Sequence, residues 1–419
     1  MDKAKIKSEI LAHFGIFYLI KDIFSGKKKV RDLFSRGPMD ITFLALVIAL
    51  LTIGIIMMFS ASYVNAWYDK DAEFDPYFYV KKQVLYAIFG LALMIAVSHI
   101  KTDVFRDSST FIMIVALILL IYVLINPAHI PGKEQFKRWI SIPLFGTFQP
   151  SEIAKLAIIM FLAFSLERYH KIAEKTAWSM VPYMGFIIVV CFLVYKENHV
   201  SGTLLMLGIG VATMYFGGVR IPWYFYAGII ALVLVLGIWF VLNADKFLEG
   251  YASERIRIWL KLLTGEELTS EEATGSGWQS LQSLYAIGSG GLFGLGFGNS
   301  KQKHMYIPEP QNDFVFAVVC EELGFARAIL IILLFILLVG RGFIIGLRAR
   351  SRFEAMLAMG ISFQVGLQAA LNIAVVTSTV PNTGISLPFF SYGGTSLVML
   401  LIEMGMVLAV SRNSERKTK

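Results

Sequence analysis

Four stretches of the sequence carry side chains that could do chemistry. The first runs Lys137-Arg138-Trp139, then Gln149-Pro150-Ser151-Glu152, then Lys155. Arg offers a bidentate fork and Lys a point charge, so Arg138 and Lys155 could hold a phosphate group. The blander reading is a helix start, with Ser151 as its cap and Glu152 pairing with Lys155 three residues on. The second stretch is Lys196-Glu197-Asn198-His199, leading through Ser201-Gly202-Thr203. It reads equally as an ordinary polar turn. The third is Gly288-Ser289-Gly290-Gly291, continuing to Gly294, Gly296 and Gly298, then Ser300-Lys301-Gln302-Lys303. Glycines permit close backbone approach and could cradle phosphates. These are interleaved with Leu and Phe, so a turn hugging the surface fits as well. The fourth is Tyr306-Ile307-Pro308-Glu309, then Asn312-Asp313-Phe314. Asp313 stands before a long apolar run, where it could be a helix cap or a single general base at a membrane–water boundary.

Such residues need elements to hold them. Apolar residues make up 56% of the 419 and charged residues 16%, against about 25% charge in a soluble domain. Long apolar runs alternate with short charged clusters, the pattern of a polytopic all-α membrane protein. Ten spans are expected, near 41–62, 84–100, 110–127, 151–167, 178–195, 202–218, 222–243, 313–340, 355–377 and 391–411. The net charge of +8 does not point to nucleic acid. Lys and Arg sit at the chain ends and between apolar runs, where they act as topology signals and contacts to anionic lipid. Lys101, Arg106, Arg168, Lys171, Lys175, Arg220, Arg341, Arg348, Arg350 and Arg352 fall on one side, together with the basic tail. Asp69, Asp71, Glu73 and Asp75 fall on the other. That alternation predicts both termini in the cytoplasm. Cys191 and Cys320 lie in apolar stretches and read as buried structural thiols.

The organisation is then a basic, amphipathic cytoplasmic segment 1–39, a transmembrane body 40–412 and a tail 413–419. The loop 244–312 between spans seven and eight is long and, by the charge rule, outside. Loops of that length are functional or disordered. Trp259, Trp278, Tyr285, Phe293 and Phe297 argue for order, in short amphipathic or re-entrant helices. Charges within the bilayer are expensive, which singles out Glu321, Glu322, Arg327 and Glu403. At 1.5 Å per residue Arg327 is about 21 Å beyond Asp313, and Glu403 about 18 Å into span ten. The matching depths predict a pair across the bundle.

Several segments in order resemble one family. They are Ser60-Ala61-Ser62, Arg138-Trp139-Ile140, Gln149-Pro150-Ser151-Glu152 with Lys155, Gly202-Thr203, Gln279 to Gly298 with Gln302-Lys303, Pro308 to Phe325, and Leu387 to Ser396. The chain resembles the SEDS proteins (shape, elongation, division and sporulation), which polymerise peptidoglycan. Its wording is closer to the division and sporulation branch (FtsW, SpoVE) than to RodA. The resemblance implies a glycosyltransferase of the bacterial cytoplasmic membrane that joins lipid II units with inversion. Asp313 matches the catalytic acid. Arg138, Glu152 and Lys155 match functional positions, and Trp139, Gln302, Lys303 and Glu309 join them as candidate substrate contacts. A class B penicillin-binding protein is the implied partner. Whether a divalent cation, Mg or Mn, assists is left open. Where many members carry an acid before the Gly-Thr, this chain has His199 and Ser201, with Glu197 nearby; at Arg327 glycine is expected. Two rivals remain: a lipid II flippase, and a non-catalytic scaffold recruiting a penicillin-binding protein.

Overall fold

The computed structural model describes residues 33–414 except 36, 71, 129–136, 143–145, 174–179, 220–250, 267 and 276. Residues 1–32 of the basic segment 1–39 and the expected span 222–243 therefore lie outside the described residues. What is described is a helical bundle. It comprises α1 Ile41–Tyr68, α2 Phe78–Ser98, α3 Thr102–Ile125, α4 Pro150–Arg168, α5 His170–Ala173, α6 Met180–Lys196 and α7 Val200–Phe216. After the gap come α8 Tyr251–Thr264, α9 Ser270–Thr274, α10 Trp278–Gly290, α11 Val315–Leu347, α12 Arg352–Val376 and α13 Gly394–Asn413. An antiparallel hairpin of β1 Ile140–Ile142 and β2 Gly146–Phe148 sits between α3 and α4. The hairpin is not foreseen in the sequence. Three residues per strand leave too short a pattern for alternation to show.

Among the described residues six helices, α1, α2, α3, α11, α12 and α13, are long and apolar enough to cross a membrane, and α6 and α7 are shorter apolar helices. The protein is a multi-pass membrane protein. Several helices run past the expected spans. Thus α2 begins at Phe78 and α3 at Thr102, taking in Lys81, Lys82, Asp103 and Arg106. Long polar side chains at helix ends reach the interface while their backbone stays helical.

Association in lipid relies on close packing rather than on a hydrophobic drive. The helix α4 is central, buried almost throughout from Ala154 to Leu166. Gly405 brings α13 against α2 so closely that a Cβ there would lie 2.6 Å from the Met94 carbonyl oxygen. One end of the bundle, here the foot, is tied by polar bonds. Asp40 caps α1 by accepting from Phe43 N–H at 2.9 Å and takes a fork from Arg341 at 2.7–3.1 Å. Ser351 and Glu354 form a capping box on α12. Glu354 also accepts from Thr102 and Asn413, joining the foot of α3 and α13.

The helix α11 is broken at Gly324, whose φ is 77° and ψ 173°. The glycine-rich turn enters this break. Leu295 and Gly296 N–H donate to the carbonyls of Glu321 and Glu322 at 2.9 and 3.0 Å. Phe325 and Ala326 N–H donate back to Gly291 and Leu292 at 2.9 and 3.1 Å. The turn thus repairs the helix, and these amides serve that purpose rather than cradling phosphate. Only glycine fits: a Cβ on Gly324 would lie 2.2 Å from Gly294 N, and both residues have positive φ.

The break also overturns the expected pairing of Arg327 with Glu403. Counting 1.5 Å per residue assumes an unbroken helix, and Gly324 resets the direction of everything after it. Arg327 is exposed and donates to the carbonyl of Phe293 at 3.0 Å. Glu403 is buried and accepts from Gln364 Nε2 at 2.8 Å.

Candidate functional site

The opposite end, the head, gathers the loops that follow α1, α3, α6, α10 and α12. Asp313 lies two residues before α11. The residue at the cap position is Phe314, with no side-chain cap bond, so Asp313 stands one residue before the cap position. Its backbone carbonyl accepts from Asn372 Nδ2 at 2.8 Å, and the same amide reaches the Ile385 carbonyl at 2.6 Å. The loop 377–393 is thereby laid beside Asp313. Gly384, at φ +67°, faces the carboxylate: a Cβ there would stand 3.1 Å from Asp313 Oδ2.

That loop is held from several sides. Ser201 at the start of α7 donates to the Thr383 carbonyl. Arg255 of α8 donates to the Asn382 carbonyl at 3.0 Å, and Trp259 to the Ser378 carbonyl at 3.0 Å. Ser283 of α10 donates to the Val376 carbonyl at 2.7 Å. The second and fourth sequence stretches and the long loop therefore meet around Asp313.

On α4 the expected pair is present: Lys155 Nζ lies 3.0 Å from Glu152 Oε2. Lys155 is only 5% exposed and also donates to Gln368 Oε1 at 3.1 Å. Gln368 in turn donates to Ser386 at 3.1–3.2 Å, two residues from Gly384. The expected cap, Ser151, is not one. Gln149 holds the cap position, Pro150 begins the helix, and the Ser151 hydroxyl is buried without a hydrogen-bond partner. Proline fits the first helical position and displaces the start by one residue. A polar cavity lies below, lined by Glu152, Lys155, Gln364, Gln368, Ser386 and Glu403 among others.

Arg138, just before β1, donates from Nη2 to the carbonyl of Asn198 in the α6–α7 turn. This joins the first stretch to the second. In that turn Glu197 is 0% exposed and neither carboxyl oxygen has a hydrogen-bond partner. Burial pushes it up to about 8, against the opposing charge of Arg138. His199 is held well below its usual value by its enclosure and by the positive charges of Arg138 and Lys155, and is neutral at physiological pH. Gln149 Nε2 stands 3.4 Å from His199 Nδ1.

The remaining candidates have other partners. Lys303 is 4% exposed, and its ammonium reaches Glu322 at 2.9 Å, Ser60 at 3.1 Å and the Gly298 carbonyl at 2.8 Å. Its donors are used inside the protein, so it is a structural ion rather than a substrate contact. Gln302 N–H bonds Glu321 at 3.3 Å in the same cluster, and its Oε1 is buried without a partner. Trp139 is half-buried and accepts from Ala128 N–H at 2.7 Å through its carbonyl. Glu309 is exposed and accepts from Asn312 at 2.8 Å. Among the described residues no three His, Cys, Asp or Glu side chains come together to hold a metal ion.

Three site residues were missed in the sequence although a signal for them exists. Gln364, Gln368 and Asn372 recur every four residues inside an apolar run. That spacing puts them on one face of a helix, and a polar stripe in a membrane helix marks an interior facing polar groups. Gly384 carried no such signal, because its role depends on a contact 71 positions away in the chain, with Asp313.

Comparison with known proteins decides the family. The family model described as cell cycle protein, covering FtsW, RodA and SpoVE, matches residues 41–416. Stage V sporulation protein E of Bacillus subtilis is 38% identical over 375 residues, 90% of this chain and 97% of its own. The chain belongs to the FtsW/RodA/SpoVE family. A probable peptidoglycan glycosyltransferase FtsW of Trichlorobacter lovleyi is 34% identical over 383 residues, covering 91% of this chain and 95% of its own. Among solved structures, a chain studied for how a peptidoglycan synthase complex coordinates polymerization and crosslinking superposes with a TM-score of 0.71 at 26% identity. It covers 89% of this chain and 98% of that one. RodA of Thermus thermophilus shares the fold, with a TM-score of 0.61 at 23% identity over 90% of this chain and 98% of that one. The family match begins with α1 and ends just beyond α13, so every residue placed at the head above falls within it.

Proposed function

We propose that this protein is a peptidoglycan glycosyltransferase that polymerises lipid II at the outer face of the cytoplasmic membrane. The names borne by its FtsW relatives support the reaction class. The observation that carries the site is the meeting, at one end of a membrane bundle, of Asp313 with the cations Arg138 and Lys155. In this reading the head faces outward, ten spans are completed by one at 222–243, both termini are cytoplasmic, and the body runs 40–412. The relative from a peptidoglycan synthase complex supports a class B penicillin-binding protein as partner.

The geometry supports the following chemistry. Asp313 takes the proton from the 4-hydroxyl of the acceptor GlcNAc. That oxygen attacks the anomeric carbon of the donor MurNAc from the face opposite the diphosphate, with inversion. The carbon–oxygen bond to the leaving group breaks, and undecaprenyl diphosphate departs with the electron pair. Arg138 and Lys155 stabilise the anion; fixed charges in a low-dielectric site are worth more than in water. Diphosphate is a good leaving group, so one base suffices. A divalent cation, Mg or Mn, would add positive charge beside the departing diphosphate.

Asp313→Asn keeps size and removes the base. Purified protein given lipid II should form no glycan strands on a gel while retaining its melting temperature. Full polymerisation by that variant would end the assignment of the base. The flippase reading gains its one support from the polar stripe of α12, which leads inward toward Glu403. Lipid II translocation in liposomes by Asp313→Asn, without polymerisation by the wild type, would favour it.

A further inference from the structure

A buried carboxyl group with no hydrogen bond needs a reason to exist. Glu197 is such a group: its side chain is fully buried and both oxygens lack partners. Its surroundings are specific. Arg138 already reaches the peptide next to it, donating to the Asn198 carbonyl. Among the described residues, the other titratable groups facing this turn are His199 of the turn itself and Lys155 with its partner Glu152 on α4. Lys196, at the end of α6, is exposed and lies over the Phe192 ring 5.4 Å away. The guanidinium is therefore the charge best placed to answer Glu197.

We propose that Glu197 is a positioning residue for Arg138, and that its protonation state decides whether that guanidinium serves the substrate diphosphate or the α6–α7 turn. With Glu197 neutral, the bond from Arg138 to this turn goes to a peptide carbonyl, a neutral acceptor that takes up none of its charge. Once ionised, the buried carboxylate faces the same guanidinium with little solvent between them, and a two-point ion pair forms. The two events are linked. A diphosphate beside Arg138 adds negative charge near Glu197 and holds its proton on, so anion binding and proton retention favour one another. Burial pushes Glu197 up to about 8, which puts the changeover on the alkaline side of neutrality.

This proposal rests on the reading of Arg138 as a diphosphate contact, and the experiment separates the two. Polymerisation kinetics of the purified full-length protein are measured against lipid II concentration from pH 6.5 to 9.5. The wild type should show KM rising several-fold above pH 8. Glu197→Gln, which mimics the protonated form, should keep the low KM across the whole range and the wild-type kcat at pH 7. If Glu197→Gln shows the same alkaline rise as the wild type, the proposal is overturned. Arg138→Ala tests the reading beneath it: KM should rise at pH 7, and an unchanged KM there would remove Arg138 from the diphosphate site and the proposal with it.

Discussion

At the scale of single residues, the site depends on what is absent as much as on what is present. Gly384 holds a positive φ and leaves the space a Cβ would fill, 3.1 Å from Asp313 Oδ2. Alanine there should cost about 1–2 kcal/mol in backbone strain and crowd the carboxylate. We expect Gly384→Ala to melt a few degrees lower and to lose at least tenfold in polymerisation, more than the stability loss explains. Unimpaired turnover would mean that the carboxylate has room to spare. The charges that gather at the head, Asp313, Arg138, Lys155 and Glu152, are visible in the sequence, because charged groups beside apolar runs stand out. The failure of Ser151 to cap α4 was not, since its neighbour Pro150 competes for the same helix start. Glu197 was visible only as part of a polar turn. That it is buried and unpartnered depends on how α6, α7 and the Arg138 segment pack, which no local pattern encodes.

At the scale of elements, the glycine-rich turn and α11 form one unit pinned by Glu321 and Glu322. Glu321 accepts from Lys301 N–H at 2.9 Å and from the Ser300 hydroxyl, while Glu322 accepts from Ser60 at 2.7 Å and from Lys303 at 2.9 Å. Removing one partner of a buried pair leaves an uncompensated charge. Lys303→Met should therefore destabilise by about 3–5 kcal/mol, whereas the double replacement of Lys303 and Glu322 by Met should recover much of that. Thermal unfolding in detergent measures both. Equal stability of the single variant and the wild type would return Lys303 to the list of substrate contacts. Glu321 and Glu322, singled out as costly charges in the bilayer, commit that charge to architecture. The sequence announced the long loop and its aromatic residues. It did not reveal that the loop repairs a helix, because the bonds run between backbone atoms about 30 positions apart.

At the scale of the whole molecule, the two ends differ in kind. The foot is closed by capping and ion pairs, the head by loops that converge on a few polar atoms. Hydropathy exposed the six long apolar helices among the described residues, since each must bury its backbone polar groups in its own helix. It placed several starts too late, because α2 and α3 carry charges into their first turns. The foot is open to test by pH. Burial opposes ionisation of Asp40, but Arg341, the Phe43 N–H and Arg348 together outweigh it and hold the carboxyl below its usual value. Its contribution is thus complete above pH 3.8, the ordinary value, and fades as pH falls through the lower folded one. Asp40→Asn should lower the melting temperature at pH 7 and narrow the gap to the wild type as the medium is acidified below pH 4. A gap that stays constant down to pH 2 would show that the ion pair does not matter.

The break at Gly324 has a consequence for how such proteins can be recombined. The residues of α11 before it are stitched to the turn 291–296, whereas those after it, from Ala328 on, pack within the bundle. A hybrid cut at the membrane surface would separate donor amides from the carbonyls they satisfy. A hybrid that transfers 291–326 as a single insert carries both halves of the stitch together. The workable joint between relatives is therefore set by hydrogen-bond ownership and lies about three turns inside α11.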